Sequence, residues 1–242
     1  MKLRHYLSLG AAALILIGSF LLPNAVAGIT DMRRIDTLVL IDSQRISFDT
    51  APELALTERV ALAANSNTEI LPLNTGNRLN NETAGEAAAR EVARFFQGGA
   101  FVLDYENLVV GEGLPSLVID IQYPTRYMII WEFDITDYSG NSVTAIIDDE
   151  TSIIVRLIYR MANRYGSLLE NGGFGSPDDL FFTAVRKLSE MMAAYYGVSV
   201  VLADYQFSGI LSYYRADIAE GGTIIPTYGV VRSTSFTMNE RV

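Results

Sequence analysis

Between Tyr127 and Arg160 the chain reads YMIIWEFDITDYSGNSVTAIIDDETSIIVRLIYR, three apolar-alternating runs separated by two polar reversals, and no other stretch constrains the fold as strongly. In the first run Ile129, Trp131, Phe133 and Ile135 alternate with Met128, Ile130, Glu132, Asp134 and Thr136. One face is apolar throughout and the other turns polar, the pattern of a half-buried strand. Tyr138-Ser139-Gly140-Asn141 supplies residues that tolerate positive φ between two alternating runs, a hairpin signal. Val143, Ala145 and Ile147 continue the apolar face. Asp148-Asp149-Glu150-Thr151 reverses the chain again before Ile153, Val155, Leu157 and Tyr159. The expectation is a three-stranded antiparallel meander.

The remaining helices and strands arrange themselves around this unit. Thr50-Ala51-Pro52-Glu53 predicts the start of a helix reaching about Ala64, by an N-cap hydroxyl, an early proline and a glutamate that can bond back to the cap. Thr83-Ala84-Gly85-Glu86 opens a second, with Ala84, Ala88, Val92 and Phe95 on one stripe and Gly98-Gly99 at its end. Strands are expected at Thr37–Ile41, Gln44–Phe48, Glu69–Leu73, Phe101–Val110 and Ser116–Tyr123. A third helix begins at Ser176-Pro177-Asp178-Asp179 and runs to about Tyr196, burying Leu180, Ala184, Leu188, Met191 and Tyr195. Strands at Val198–Phe207, Ile210–Ile218 and Ile224–Phe236 follow, with reversals at Ser208-Gly209 and Glu220-Gly221-Gly222.

Helix followed by meander thus occurs twice. The fold class is α+β, with antiparallel meander sheets each packed by a helix, and two similar lobes are expected after an N-terminal membrane or signal helix. One continuous sheet with helices gathered on a face is the alternative. The lobes span 28–165 and 176–242, and Asn171-Gly172-Gly173-Phe174-Gly175 marks the boundary between them.

The central stretch resembles a PepSY-type module, in which a Trp-bearing strand, a glycine turn and an Asp-rich turn follow one another. Here these are Trp131, Ser139-Gly140-Asn141, and Asp148-Asp149-Glu150-Thr151 before Ile153. The resemblance covers about Thr83 to Arg160. Ser152 stands where such modules commonly carry glycine. The resemblance implies an extracytoplasmic, non-catalytic binding or regulatory unit.

The N-terminus points to the same compartment. Lys2, Arg4 and His5 precede an apolar run from Tyr6 to Leu22, and Ala25-Val26-Ala27 offers a signal-peptidase site, so residues 1–27 are a signal peptide or a transmembrane anchor. Uncleaved, the apolar segment reaches Ile29 and counts 24 residues, against the ~20 that span a bilayer. Basic residues before the segment place the bulk outside the cytoplasm, with the membrane as one partner and an envelope protein as another. The formal charge of −10 becomes −12 without residues 1–27, leaving 16 basic residues against 28 acidic ones, which argues against nucleic acid as a partner.

Several chemistries are excluded by composition. With no cysteine there are no disulfides, thiol nucleophiles or Cys–metal sites, and the sole histidine, His5, lies in the N-terminal tail. Lys187 is the only lysine after Lys2. No cofactor is expected. The remaining candidates are Asp148, Asp149 and Glu150, a cluster suited to Ca²⁺ or to acid hydrolysis, with no catalytic residue assigned. The simpler reading has them capping a reversal and staying in solvent, since D-x-D-x-D-G spacing is missing. Tyrosines crowd the last third at Tyr195, Tyr196, Tyr205, Tyr213, Tyr214 and Tyr228. Adjacent residues on a strand point to opposite faces, so Tyr213 and Tyr214 are candidates for a partner-binding face of which only one can be core. The function expected is a non-catalytic binding or regulatory module at the cell envelope, with a carboxylate-dependent envelope hydrolase or a structural envelope subunit as alternatives.

Overall fold

The meander forms as its alternation requires. In a computed structural model that describes residues 53–97, 101–162, 177–208, 211–232 and 234–240, β4 (Tyr127–Asp137), β5 (Ser142–Asp148) and β6 (Ile154–Arg160) pair antiparallel in sequence order. Trp131, Phe133, Ile135, Val143, Ala145 and Ile147 are all buried on one face. A register shift between Ile146 and Ile147 gives β6 one extra residue. Ile154 therefore joins Leu157 and Tyr159 on that face, and Val155, expected there, turns to the other.

The other elements are α1 (Leu56–Ala64), β1 (Thr68–Pro72), α2 (Asn81–Phe96), β2 (Leu108–Val110), β3 (Leu114–Asp120), α3 (Pro177–Tyr196), β7 (Ser199–Phe207), β8 (Leu211–Glu220), β9 (Thr223–Arg232) and β10 (Ser235–Met238). All described residues belong to one compact unit, Asp49–Val242. The class is α+β, with three helices on a large antiparallel sheet among the described residues. No helix among them is long and apolar enough to cross a membrane. The expected N-terminal segment, the strands at 37–41 and 44–48 and the boundary at 171–175 lie outside the described residues.

The strands form one ten-stranded sheet in the order β1-β3-β4-β5-β6-β10-β9-β8-β7, with β2 also on β4. The expectation of separate meander sheets is corrected by β10. The run from Ile224 to Phe236, read as one strand, is two, with Arg232 opposite Ser235 at the reversal. The returning strand pairs with β6 through Phe236–Tyr159 and Thr237–Ile158, so the last strand of each meander joins the other. Phe236 seals the junction in an aromatic cluster with Tyr159 at 5.2 Å and Phe101 at 4.6 Å between ring centroids.

Both long helices lie on one face. Ala84, Ala88, Val92 and Phe95 of α2 are buried as the stripe predicted, as are Ala184, Leu188, Met191 and Tyr195 of α3. Phe95 meets Tyr195 edge-on at 5.5 Å, and the Tyr195 hydroxyl accepts from Ile154 N–H and donates to Glu91. Burial pushes the Tyr195 pKa well above its ordinary value; the Ile154 N–H opposes the shift and Glu91 adds to it. The start of α2 falls earlier than the Thr83 motif predicted. Asn80 is the cap, accepting from Thr83 N–H while Thr83 Oγ1 accepts from Asn80 N–H.

Helix α1 straddles the sheet, with Val60 in the main core and Leu62 on the opposite face of the meander. Its Leu62 packs on Val118, Met128, Ile130, Ile146 and Val155. It begins at Leu56 rather than near Thr50, with Glu58 reaching back to Ala55 N–H at 3.1 Å. Strand β3 ends at Asp120, short of the expected Tyr123, because Asp120 Oδ1 accepts from Gln122 and Tyr123 N–H and turns the chain. The expected strand Phe101–Val110 shrinks to β2, while Phe101 and Leu103 enter the core outside any strand.

Ser152, at the position where glycine was expected, has φ +64°. A left-handed conformation costs an L-residue about 1–2 kcal/mol, and glycine's extra chain entropy returns about 0.5–1 kcal/mol of that. Ser152→Gly is therefore expected to stabilise the fold by about 0.5–1 kcal/mol in urea unfolding. A loss of stability would mean that the serine side chain contributes more than its backbone strain removes.

Candidate binding surface

The acidic turn is where the sequence pointed, and its surroundings differ from the solvated reversal expected. Asp148 and Asp149 are 1% and 3% exposed. Asp149 Oδ2 accepts from the N–H groups of Asn77 (3.0 Å) and Arg78 (2.7 Å), and Oδ1 from Leu79 N–H (3.1 Å) and the Trp131 indole (2.8 Å). Asp148 holds Arg59 Nη1 at 2.8 Å and the Thr151 N–H at 2.8 Å, and Glu150 holds Arg59 Nη2 at 2.6 Å. Burial opposes the charge of Arg59, yet Asp148 and Glu150 outweigh it and raise its pKa. These carboxylates bind α1 and the 76–79 loop to the meander. Gly76 is needed there, because a Cβ would stand 2.1 Å from Asp149 Oδ1 and 2.7 Å from the indole nitrogen. No group of three or more potential metal-ligating side chains forms among the described residues.

The tyrosine pair separates as strand geometry requires. Tyr214 is 3% exposed over Gly229 and donates to Thr237 O, while Tyr213 is 51% exposed on the face that carries α1. Tyr214 is thereby placed in the core. Tyr228, directly opposite Arg215, shares the exposed face with Tyr213. Tyr195 and Tyr196 pack between α3 and the sheet, and Lys187 pairs with Glu190 at 2.8 Å on the outer side of α3.

Beyond α1 this second sheet face carries no further helix among the described residues; pairing register orders its side chains, of which Thr144, Ile146, Val230 and Thr237 are buried. One row runs Asp134, Thr144, Ile158, Thr237, Val230, Tyr213 across six strands. The next carries Thr136, Ser142, Arg160, Ser235 and Arg232. On the other side Glu132, Ile146 and Arg156 lie in register, and Arg215 stands opposite Tyr228. Acidic groups thus occupy β4, arginines β6, β8 and β9, and tyrosines β8 and β9.

A pocket of about 180 Å³ opens on this face where α1 ends. Val118, Ile130 and Ile146 form its floor, Ala63 a wall, and Glu132 and Arg156 its polar rim. Sequence reasoning identified Tyr213 and missed the pocket and the arginines. Their only signal was a pair of arginines four residues apart, at 156 and 160, on an otherwise apolar strand.

What fold and surface define together is an α+β protein with both long helices on one face of its sheet and exposed arginine and tyrosine side chains on the other. No family model, curated protein or solved structure matches the chain.

Proposed function

We propose that the protein is a non-catalytic binding or regulatory module of the cell envelope, with its bulk outside the cytoplasm and its open sheet face as the recognition surface. The observation that carries this reading is the exposed Tyr213 and Tyr228 among Arg160, Arg215 and Arg232 on one face. Aromatic and arginine side chains supply most of the binding energy at protein interfaces, and an antiparallel sheet holds them rigidly. The acidic turn supports the same reading from the other side, since Asp148 and Asp149 are buried against donors of their own chain. The likeness of the central stretch to PepSY-type modules agrees with it, as does the basic-then-apolar N-terminus.

The test is capture from native membranes with the full chain as bait, beside Tyr213→Ser/Tyr228→Ser. Loss of two interface anchors at about 2 kcal/mol or more each should weaken the partner's retention by about thirtyfold per anchor, several hundredfold together. Equal retention by the variant would move the recognition surface elsewhere. A reporter fused after Val242 that works only in the cytoplasm would remove the envelope from the proposal.

A further inference from the structure

We propose that two copies of this chain pair through β7, antiparallel about a two-fold axis between Ala203 and Asp204, so that their sheets run on as one across the edge. Strand β7 ends the sheet among the described residues and pairs there only with β8. An edge strand leaves a row of backbone N–H and C=O groups unpaired, and proteins blunt such edges with shortness, proline and charge. The other end of the sheet is blunted in this way: β1 has five residues, with Glu69 among them and Pro72 at its end. Strand β7 has nine residues, no proline, no lysine or arginine, and a single charge at Asp204. Val201, in its middle, is 63% exposed.

The residue pattern of β7 fits a second copy of itself. Its pairing with β8 steps from Leu202 to Asp204, so Ala203 and Asp204 share one position of the ladder. The faces alternate symmetrically on either side of that position. Val200, Leu202, Tyr205 and Phe207 are half-buried against the helix-covered core, whereas Val201 and Gln206 are exposed on the other face. Antiparallel pairing about this centre sets Val200 opposite the partner's Phe207, Leu202 opposite the partner's Tyr205, and Val201 opposite the partner's Gln206. Each pair then lies on one face at both ends of the strand, because both strands carry the same extra residue. A regular strand from another protein has no such residue and meets the extra one with a break in its ladder.

Size and symmetry agree with a closed pair. Nine residues extend about 30 Å, and the edge is two layers or about 20 Å deep, since α3 lies over β7 and its Phe182, 43% exposed, meets Tyr205 at 5.5 Å. That is roughly 600 Å² per subunit and about 1,200 Å² in total, at the lower end of specific interfaces. The contact is isologous and closes at two copies, while the blunted β1 edge keeps β7 from adding head to tail. The two Asp204 side chains come together beside the axis, each with its own Arg215 in register on β8, so two acids stand between two arginines. Pairing also sets two open faces side by side, each with Tyr213 one strand in from the junction.

The absence of native cysteine allows a register-specific test on the full chain in mild detergent. In Val201→Cys/Gln206→Cys each thiol faces the other kind in the partner, with Cβ atoms about 4.5–5.5 Å apart, near enough for a disulfide after slight adjustment. Within one chain the two positions lie more than about 10 Å apart along the strand and cannot join. Oxidation should convert the double variant to a covalent dimer and leave each single variant monomeric, while a mixture of the two single variants gives the mixed dimer. Light scattering over a concentration series should show a monomer–dimer equilibrium. Val201→Lys/Gln206→Lys, which opposes like charges at two exposed positions, should weaken it about tenfold or more. Asp204→Asn, whose amide oxygen still accepts from Tyr205 N–H, should tighten it severalfold. The crosslinking result stands even where the lysine variant proves unstable. A monomer at every concentration, a dimer indifferent to the lysine pair, weakening by Asp204→Asn, or crosslinking of the single variants as efficient as that of the double would each overturn the proposal. Covalent capture of a different protein by Val201→Cys in native membranes would overturn it too, and would assign the edge to that protein.

Discussion

Asp149→Ala is expected to cost on the order of 4 kcal/mol or more, close to unfolding a domain of ordinary stability. Its two oxygens satisfy four donors, three backbone N–H groups from residues 77–79 and the indole of Trp131. Each buried donor left without a partner costs about 1–3 kcal/mol, and water reaches this site poorly because Trp131 is 1% exposed. Asn does not repair the loss, since its amide turns an N–H toward donors on one side or the other. Trp131 is the only tryptophan, so its fluorescence reports the site directly and should shift to the red in Asp149→Ala. In a double-mutant cycle followed by circular dichroism, Trp131→Phe should cost less in the Asp149→Ala background than in the wild type, because the indole bond is already gone. Additive losses would mean that the bond contributes nothing.

The same turn shows how far the sequence carried. Position and capping role were legible, because acids at a reversal accept from nearby backbone N–H groups. Burial was not, because it is imposed by Arg59, 89 residues earlier, and by the loop at residues 76–79. Strand alternation exposed the covered face residue by residue from Trp131 to Ile147, until the β6 bulge reversed the parity at Val155. The helix stripes were legible for the same reason. What escaped was the element that sets the topology. The reversal before β10 carries neither glycine nor proline, so nothing local separated it from β9. The open-face pocket escaped because Ala63, Val118, Ile130, Ile146 and Arg156 come from five elements that only the finished sheet brings together.

Arg59→Ala should destabilise by about 3–5 kcal/mol, the usual cost of stranding one member of a buried ion pair. Arg59 is 4% exposed and Asp148 1%, and the arginine also donates from Nε to Leu54 O at 2.9 Å. The pair is the tie by which α1 is held to the β5–β6 reversal, so it also positions the wall of the open-face pocket that Ala63 forms. Asp148→Asn should cost nearly as much, despite its small change in shape, because it leaves the guanidinium buried with only Glu150, which is 39% exposed at its side chain. Glu150→Gln should cost about 1 kcal/mol or less, as for other half-exposed pairs. Combining Arg59→Met with Asp148→Asn removes the charge and its partner together while the amide oxygen still accepts from Thr151. The double variant should recover about 1–3 kcal/mol relative to the sum of the singles in urea unfolding. Strict additivity would show that α1 is held by Leu62 and its apolar neighbours alone, with the buried pair adding nothing to the stability of the sheet's open side.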